Sequence, residues 1–426
     1  MHKELIQQLE PQLKAAGLLP LRQQADLSTK ILKERLELVL PWAMEQSGID
    51  FWLIGARENN MDPIMKTLYP WDMPDVRRLG FLAFHRQKNG SIRKMAIGPM
   101  SAQMAGIYEK AQGQEEDVWQ ALGRIVAECG PEKIGVNKST TAGYSDGLSA
   151  TVCEQIRESL GANAGKLTAS EELAVRWLQR YSPLEKSLMK TLVTLTQEII
   201  KYAFSRSFIK PGKTTTTDVE WFMRDVINRL GFKYWFGPDV DLQREGGKSS
   251  KLAGEVILPG DLIHCDIGLS PTYIALHTDM QWLAYLLKEG EERAPQELTG
   301  LLGRANRLQD LVRENIEKGG TGNEVFVNSL RRAGKEGINA MIYTHPLGTF
   351  GHGAGPLIGR YSDQSELPKE GERRLEEKTF YALELNAAGK IAAWGNQLVY
   401  IYLEEVIAKD GGVDFLCGRQ DKLLLI

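Results

Sequence analysis

The sequence predicts a two-part chain, an α/β half followed by an α+β half, on three observations. Residues from about 37 to 160 alternate short apolar runs with helical segments. A long amphipathic helix with start signals opens a new unit near residue 182, and the remainder of the chain is rich in strand-length apolar runs interrupted by single acids. A length of 426 residues supports two domains, expected as 1–178, an α/β domain without catalytic residues, and 179–426, which carries the chemistry.

In the first half "IDFWLIG" (49–55), "LGFLAFH" (79–85) and "KIGVN" (133–137) have strand length and strand composition. Between the last two, "QEEDVWQALGRIVAECGP" predicts a helix with acids at its start, stopped by Gly130 and Pro131. The second half begins with "SPLEKSLMKTLVTLTQEIIKYAF": Ser182 as cap, Pro183 in the first turn, Glu185 to close a capping box, and Leu184, Leu188, Leu192, Leu195 and Ile199 as one stripe. A second helix is expected in "TDVEWFMRDVINRLG", with Thr217 and Glu220 as its capping box and Gly231 as its stop. After it the sequence turns strand-rich to the end.

Composition narrows the function. The net charge of −3, with charged residues a quarter of the chain, offers nothing to nucleic acid or an anionic membrane. Cys129, Cys153, Cys265 and Cys417 lack paired or metal-type spacing, which suits a reducing compartment. The start "MHKELIQQLEPQLK" reads as a polar amphipathic helix without an apolar signal core, and no stretch has the ~18 apolar residues of a membrane span. A cytoplasmic protein is expected.

The residues with chemistry to offer lie on strands. In "LPGDLIHCDIG", alternation places Leu262, His264 and Asp266 on one face and Cys265 on the other, where it reads as a small buried apolar residue rather than a nucleophile. Past a turn at "LSPTY", "IALHTDMQWLAYLL" repeats the arrangement with His277 and Asp279. Antiparallel pairing of the two would bring two aspartates together, and like charges that close need a cation between them. "KTFYALELNA" sets Glu384, and "LVYIYLEEVIA" sets Glu404 and Glu405, inside apolar runs. Glu404 shares its face with Tyr400 and Tyr402 and is preferred to Glu405, although a one-residue slip reverses the choice. "GHGAGPLIGRY" adds His352 in a run of glycines. Singly, each acid is a rim residue and the histidine a loop residue. Together, four carboxylates sum to −4, which two divalent cations balance, and an oxygen-rich set with one imidazole suits Mn²⁺, Fe²⁺, Co²⁺ or Zn²⁺.

The order Asp, Asp, His, Glu, Glu in "HCDIG", "HTDMQ", "GHGAG", "ALELN" and "YLEEV" resembles the pita-bread metallopeptidases: aminopeptidase P, prolidase, methionine aminopeptidase and the non-peptidase creatinase. The resemblance covers roughly residues 180–420, and the preceding half is similar to the N-terminal domain of the creatinase, prolidase and aminopeptidase P branch. It implies a pita-bread catalytic domain in which Asp266, Asp279, His352, Glu384 and Glu404 hold two divalent metals, Mn²⁺ foremost. Asp279 and Glu404 would bridge them, and Glu384 would shuttle a proton. It further implies a homodimer acting on Xaa-Pro peptides, the first domain helping to close the site or form the dimer, with water activated between the metals attacking the bond before proline.

Two family histidines are missing. Before the first aspartate strand "QREGGKSSKLAGEVILPGD" offers only Ser249 and Ser250, and seven residues past His352 stands Gly359. His264, His277 or His345, helped by Tyr361 or Arg360, are the expected substitutes; packed histidines that orient carboxylates are the alternative. Trp394 reads as a hairpin tryptophan over the core or, less simply, as a pocket wall. Three functions are open: an Xaa-Pro aminopeptidase or dipeptidase; a relative acting on a small non-peptide amide or amidine, or a lyase; and a metal-free binding protein.

Overall fold

A computed structural model describes residues 2–426. The chain forms two compact units, Ala25–Leu184, and the N-terminal residues up to Gln24 together with Glu185–Ile426.

The first unit is a mixed six-stranded sheet of β1 (Phe51–Arg57), β2 (Leu79–Arg86), β3 (Ile92–Ile97), β4 (Glu109–Lys110), β5 (Ile134–Val136) and β6 (Leu167–Ala169), in the order β4-β3-β2-β1-β5-β6. The three runs expected to be strands are β1, β2 and β5. The helix Val118–Cys129 is capped by Asp117, which accepts from Trp119 and Gln120, and ends at Gly130 with φ 58°. Together with Ala150–Leu160 it buries Leu122, Ile125, Val126, Val152 and Ile156 in the core of this unit, with Phe51, Leu53 and Phe81 from the sheet. Asn137 donates to both oxygens of buried Asp62, itself the cap of the helix Pro63–Leu68, so the polar groups below the sheet are satisfied by one another.

The division differs from the expected 1–178 and 179–426 in its treatment of the first helix. The amphipathic helix His2–Ala15 buries Leu5, Leu9 and Leu13 and packs on Thr216–Arg229 of the second unit. Gln24 fixes the connection, donating to Gly231 O at 3.3 Å and accepting from Tyr273 N at 2.8 Å. Amphipathicity shows that a helix has a partner and is silent about which, so a contact 200 residues away in sequence was not legible.

In the second unit β7 (Phe232–Tyr234) pairs with β10 (Leu269–Pro271). The large sheet runs β12-β14-β15-β11-β9-β8, comprising β8 (Asp239–Gln243), β9 (Leu262–Ile267), β11 (Met280–Tyr285), β12 (Asn339–Ile342), β14 (Thr379–Ile391) and β15 (Gln397–Lys409). Short strands β13 (His345–Leu347), β16 (Val413–Phe415) and β17 (Leu424–Leu425) add to β14, β15 and β11. The helices Gln296–Lys318 and Gly322–Lys335 cover one face, burying Leu301, Leu308 and Val325 against Leu383, Leu385, Ile401 and Leu403. Alternation then turns Glu384 and Glu404 to the opposite face.

Two sequence expectations change here. The stretch after residue 231 is not all strand: Leu298, Leu301, Leu302, Leu308, Leu311 and Val312 repeat at helical spacing, a pattern masked by Gly300 and Gly303. The helix Thr216–Arg229 is capped by Thr215 with Asp218, two residues before the expected pair, because a run of four threonines offers several registers for one box. Trp394 lies buried in the hairpin turn as part of the core, the simpler of its two readings.

Candidate metal centre

The centre is built across adjacent strands. Gln281 of β11 pairs with Asp266 of β9 on one side and Glu404 of β15 on the other, and Glu404 pairs with Glu384 of β14. Asp279 immediately precedes β11, and His345 of β13 lies opposite Ala382, two residues from Glu384. Strand register alone thus gathers four carboxylates and one imidazole from segments 266 to 404.

Two overlapping groups have the spacing of cation ligands: Asp279, His345 and Glu404, and Asp266, Glu384 and Glu404. His345 Nε2 stands 3.6 Å from Asp279 Oδ2, 3.7 Å from Glu404 Oε1 and 3.8 Å from Glu384 Oε2. His345 Nδ1 bonds Pro346 O at 2.9 Å. A carbonyl only accepts, so Nδ1 carries the proton and Nε2 presents a lone pair to three carboxylates, which without a cation is repulsive. Asp266 Oδ1, Asp279 Oδ1, His345 Nε2 and Glu404 Oε1 are all buried with no hydrogen-bond partner. Four such atoms at one place are costly unless something positive lies among them, and the residues therefore fit a divalent metal.

Charge behaves accordingly. Burial, and then the neighbouring carboxylates, raise the proton affinity of Asp279 and Glu404 far above the usual carboxylate range; burial and Asp266 do so for Glu384. Burial likewise raises Asp266 and, followed by the nearby His352, pushes His345 down to about 4, keeping it neutral.

The imidazole of this set is His345. His352, a ligand by the family resemblance, is exposed and lies in neither group. Its ring meets Trp235 at 5.2 Å and His345 at 4.8 Å, both edge-on. The cause is local. β13 holds His345 in the sheet, whereas the glycine run leaves the sheet, and Gly351 is there because a Cβ would sit 2.2 Å from the Trp235 indole. Glu405 is also resolved: it faces away from the centre and accepts from Trp282 Nε1 and Gln420 N, both at 2.7 Å.

The expected proton donors are differently employed. His264 is buried between Asp241 Oδ2 at 3.1 Å and Gln281 Oε1 at 3.0 Å. His277 Nδ1 donates to Gly348 O at 3.0 Å and so ties down the loop before His352. Tyr361 is 54% exposed beside Tyr343, open to a ligand, whereas Arg360 is engaged by Glu370 at 2.7 Å. Ser249 closes a turn on Lys251, and Ser250 is a hydrogen-bond neighbour of Tyr402. Cys265 is fully buried and its thiol is pushed up, as an inert packing residue. At Gly359, φ is +75° and a Cβ would lie 2.2 Å from Ile342 O and 2.7 Å from Phe326, so no histidine fits there. Gln281, Asp241 and Lys251 were not anticipated, although alternation from Asp279 and within "DVDLQ" would have pointed at the first two.

No protein-family model and no curated protein sequence matches the chain. Solved structures do. An X-Pro aminopeptidase from Thermotoga maritima superposes with a TM-score of 0.64 at 15% identity, over 90% of this chain and 100% of that one. The chain has the fold of the Xaa-Pro peptidases. An Xaa-Pro dipeptidase from Bacillus anthracis gives 0.63 at 16% identity, covering 93% and 100%. The N-terminal domain of the FACT complex subunit SPT16 from chickpea gives 0.55 at 11% identity, covering 93% and 98%. A fold found in peptidases and in a complex subunit leaves function to be argued from the centre.

Proposed function

We propose that this chain is a metal-dependent exopeptidase that hydrolyses the bond before proline, as an aminopeptidase or a dipeptidase. The observation that carries this reading is the convergence of four buried, unpartnered ligand atoms at one place in a fold shared with Xaa-Pro peptidases. Asp266, Asp279, His345, Glu384 and Glu404 would hold the metal, in two groups that favour a pair of divalent ions, Mn²⁺ first among them. A bound divalent cation supplies acidified water and a polarised carbonyl.

The chain's own residues set the rest. The Glu384 side chain is 18% exposed against 1% for Glu404 and 5% for Asp279, so Glu384, like the part-buried Asp266, is a ligand a substrate can reach. A carboxylate at that position can take a proton from water and return it to the leaving amine. His345 is fixed in one tautomer by Pro346, His277 holds the neighbouring loop, and Tyr361, hydrogen-bonded to Tyr402, is exposed enough to contact substrate. Four unpaired cysteines support a reducing, cytoplasmic setting; a homodimer is proposed on the resemblance alone.

The test is a panel of Xaa-Pro dipeptides and longer Xaa-Pro peptides with Mn²⁺ added, with Glu384→Ala as the inactive control. Hydrolysis by wild type and its loss in the variant support the proposal. Inactivity across the panel in protein that binds Mn²⁺ would shift the assignment to a small non-peptide amide, a reading favoured by the closed position at Gly359. Failure to bind Mn²⁺ at all would leave a non-catalytic binding protein.

A further inference from the structure

Gln281 is 3% exposed and sits in the middle of the carboxylates. Its Nε2 is 2.5 Å from Glu384 Oε1 and 3.0 Å from Glu404 Oε2. The amide oxygen is 3.0 Å from His264 Nε2, His264 Nδ1 is 3.1 Å from Asp241 Oδ2, and Asp241 Oδ2 is 3.6 Å from Lys251 Nζ. The row runs from a half-exposed lysine into the centre through side chains that are 1–3% exposed.

The direction of this row is fixed by what each group can do. With a cation bound, Glu384 and Glu404 are ionised and only accept, so the two amide N–H groups of Gln281, 2.5 and 3.0 Å away, point at them. The amide oxygen then faces His264 Nε2 at 3.0 Å, and His264 Nδ1 lies 3.1 Å from Asp241 Oδ2, so the ring is held on both sides. Turning the Gln281 amide over would put its oxygen against Glu384 and Glu404.

The same geometry divides the glutamates. Glu404 gives Oε1 to the His345 side and Oε2 to Gln281, and Glu384 gives Oε2 to His345 and Oε1 to Gln281. The position bounded by Asp279, His345, Glu404 and Glu384 keeps its oxygens free. In the position bounded by Asp266, Glu384 and Glu404, two of the three members already hold a donor.

We infer that Gln281 makes the two cation positions unequal: its amide takes the place of a cation between Glu384 and Glu404, so the chain binds one divalent ion tightly, beside His345. A second ion enters only when the amide swings away, and the His264–Asp241 pair resists that swing. Gln281 and His264 are thus positioning residues that set metal occupancy. The inference rests on the metal centre proposed above and on no substrate.

The test titrates metal-free protein with Mn²⁺ alone, reading heat and the Mn²⁺ paramagnetic resonance spectrum. Wild type is expected to take one tight equivalent with the six-line signal of an isolated ion, and a second at least about 10-fold more weakly, the range by which groups behind ligands tune affinity. Gln281→Ala and the shape-conserving Gln281→Glu should bind two equivalents of similar affinity and show an exchange-coupled pair; His264→Ala should narrow the gap between the two affinities. Two equal tight equivalents in wild type, or a single tight ion in both Gln281 variants, overturn the inference. Wild type alone decides if the variants fail to fold, and a protein that takes no Mn²⁺ sinks the proposed function instead.

Discussion

Replacing His345 and His352 in turn separates the two imidazoles that compete for the metal. In His345→Ala a ring with its Nε2 lone pair 3.6–3.8 Å from three carboxylate oxygens is removed, and with it the one nitrogen of the set. Loss of a group that merely orients a ligand costs roughly 10–100-fold in affinity, so loss of the ligand itself should cost about 100-fold or more. At about 1.4 kcal/mol per tenfold that is about 2.8 kcal/mol or more. His352→Ala loses only edge contacts with Trp235 and His345 from an exposed position. Such contacts are worth about 0.5–1.5 kcal/mol, so the affinity should change by no more than about tenfold. Mn²⁺ affinity is measured by competition against a chelator, starting from metal-free protein, with thermal melting in chelator to show that each variant is folded. A hundredfold loss in His352→Ala alongside near-normal binding in His345→Ala would refute the assignment and return the metal to the glycine-rich run.

The remaining expectations concern the rest of the sheet. Glu404→Gln should abolish tight Mn²⁺ binding while Glu405→Gln leaves it intact, read by the same competition, because the two side chains lie on opposite faces. Gly359→Ala should lower the melting temperature by about 4–10 °C, from a cost of about 2–3 kcal/mol for a left-handed φ and a clash with Ile342 O. Burial raises the Glu405 carboxyl from 4.5 to about 8, so the folded state binds its proton more tightly than the unfolded chain. Stability should therefore be highest below about pH 4.5 and fall as pH rises toward 8, and Glu405→Gln should flatten part of that slope. The metal-binding carboxylates carry the same sign in metal-free protein, so Mn²⁺ at a hundredfold excess over Kd should restore about 2.7 kcal/mol, most visibly at the alkaline end. Melting scans from pH 5 to 8 with and without Mn²⁺ check this; stability rising with pH in chelator would count against it.

The carboxylates were legible because strands impose a period of two: an acid inside an apolar run must face either the core or a site, and alternation with Tyr400 and Tyr402 turns Glu404, not Glu405, toward the other carboxylates. The long hairpin of β14 and β15 followed from the same pattern. The imidazole was not legible. "GHGAG" advertises backbone freedom, whereas "THPLG", with His345, is an ordinary short strand whose meaning lies in pairing opposite Phe380–Ala382, a contact invisible to local pattern. Gln281 carries no charge, so its place among the carboxylates shows only in the strand register. Two glycines on the exposed face of the helix Gln296–Lys318 hide its periodicity, and the partner of the first helix is distant in sequence.

These outcomes together redistribute the histidines. A group that donates a proton to substrate must be reachable, and of His264, His277, His345 and His352 only the last is exposed. His264 is consumed between Asp241 and Gln281, His345 faces the carboxylates, and His277 is tied to Gly348. The ring of His352 lies 4.8 Å from that of His345, hence at the edge of the centre rather than within it. If the proposed peptidase reading holds, His352 and Tyr361 are the exposed side chains placed to contact substrate in place of a histidine at Gly359. The glycines around His352 then serve a different end from the one they suggest: they let Trp235 press against the loop and hold an imidazole at the surface beside the carboxylates.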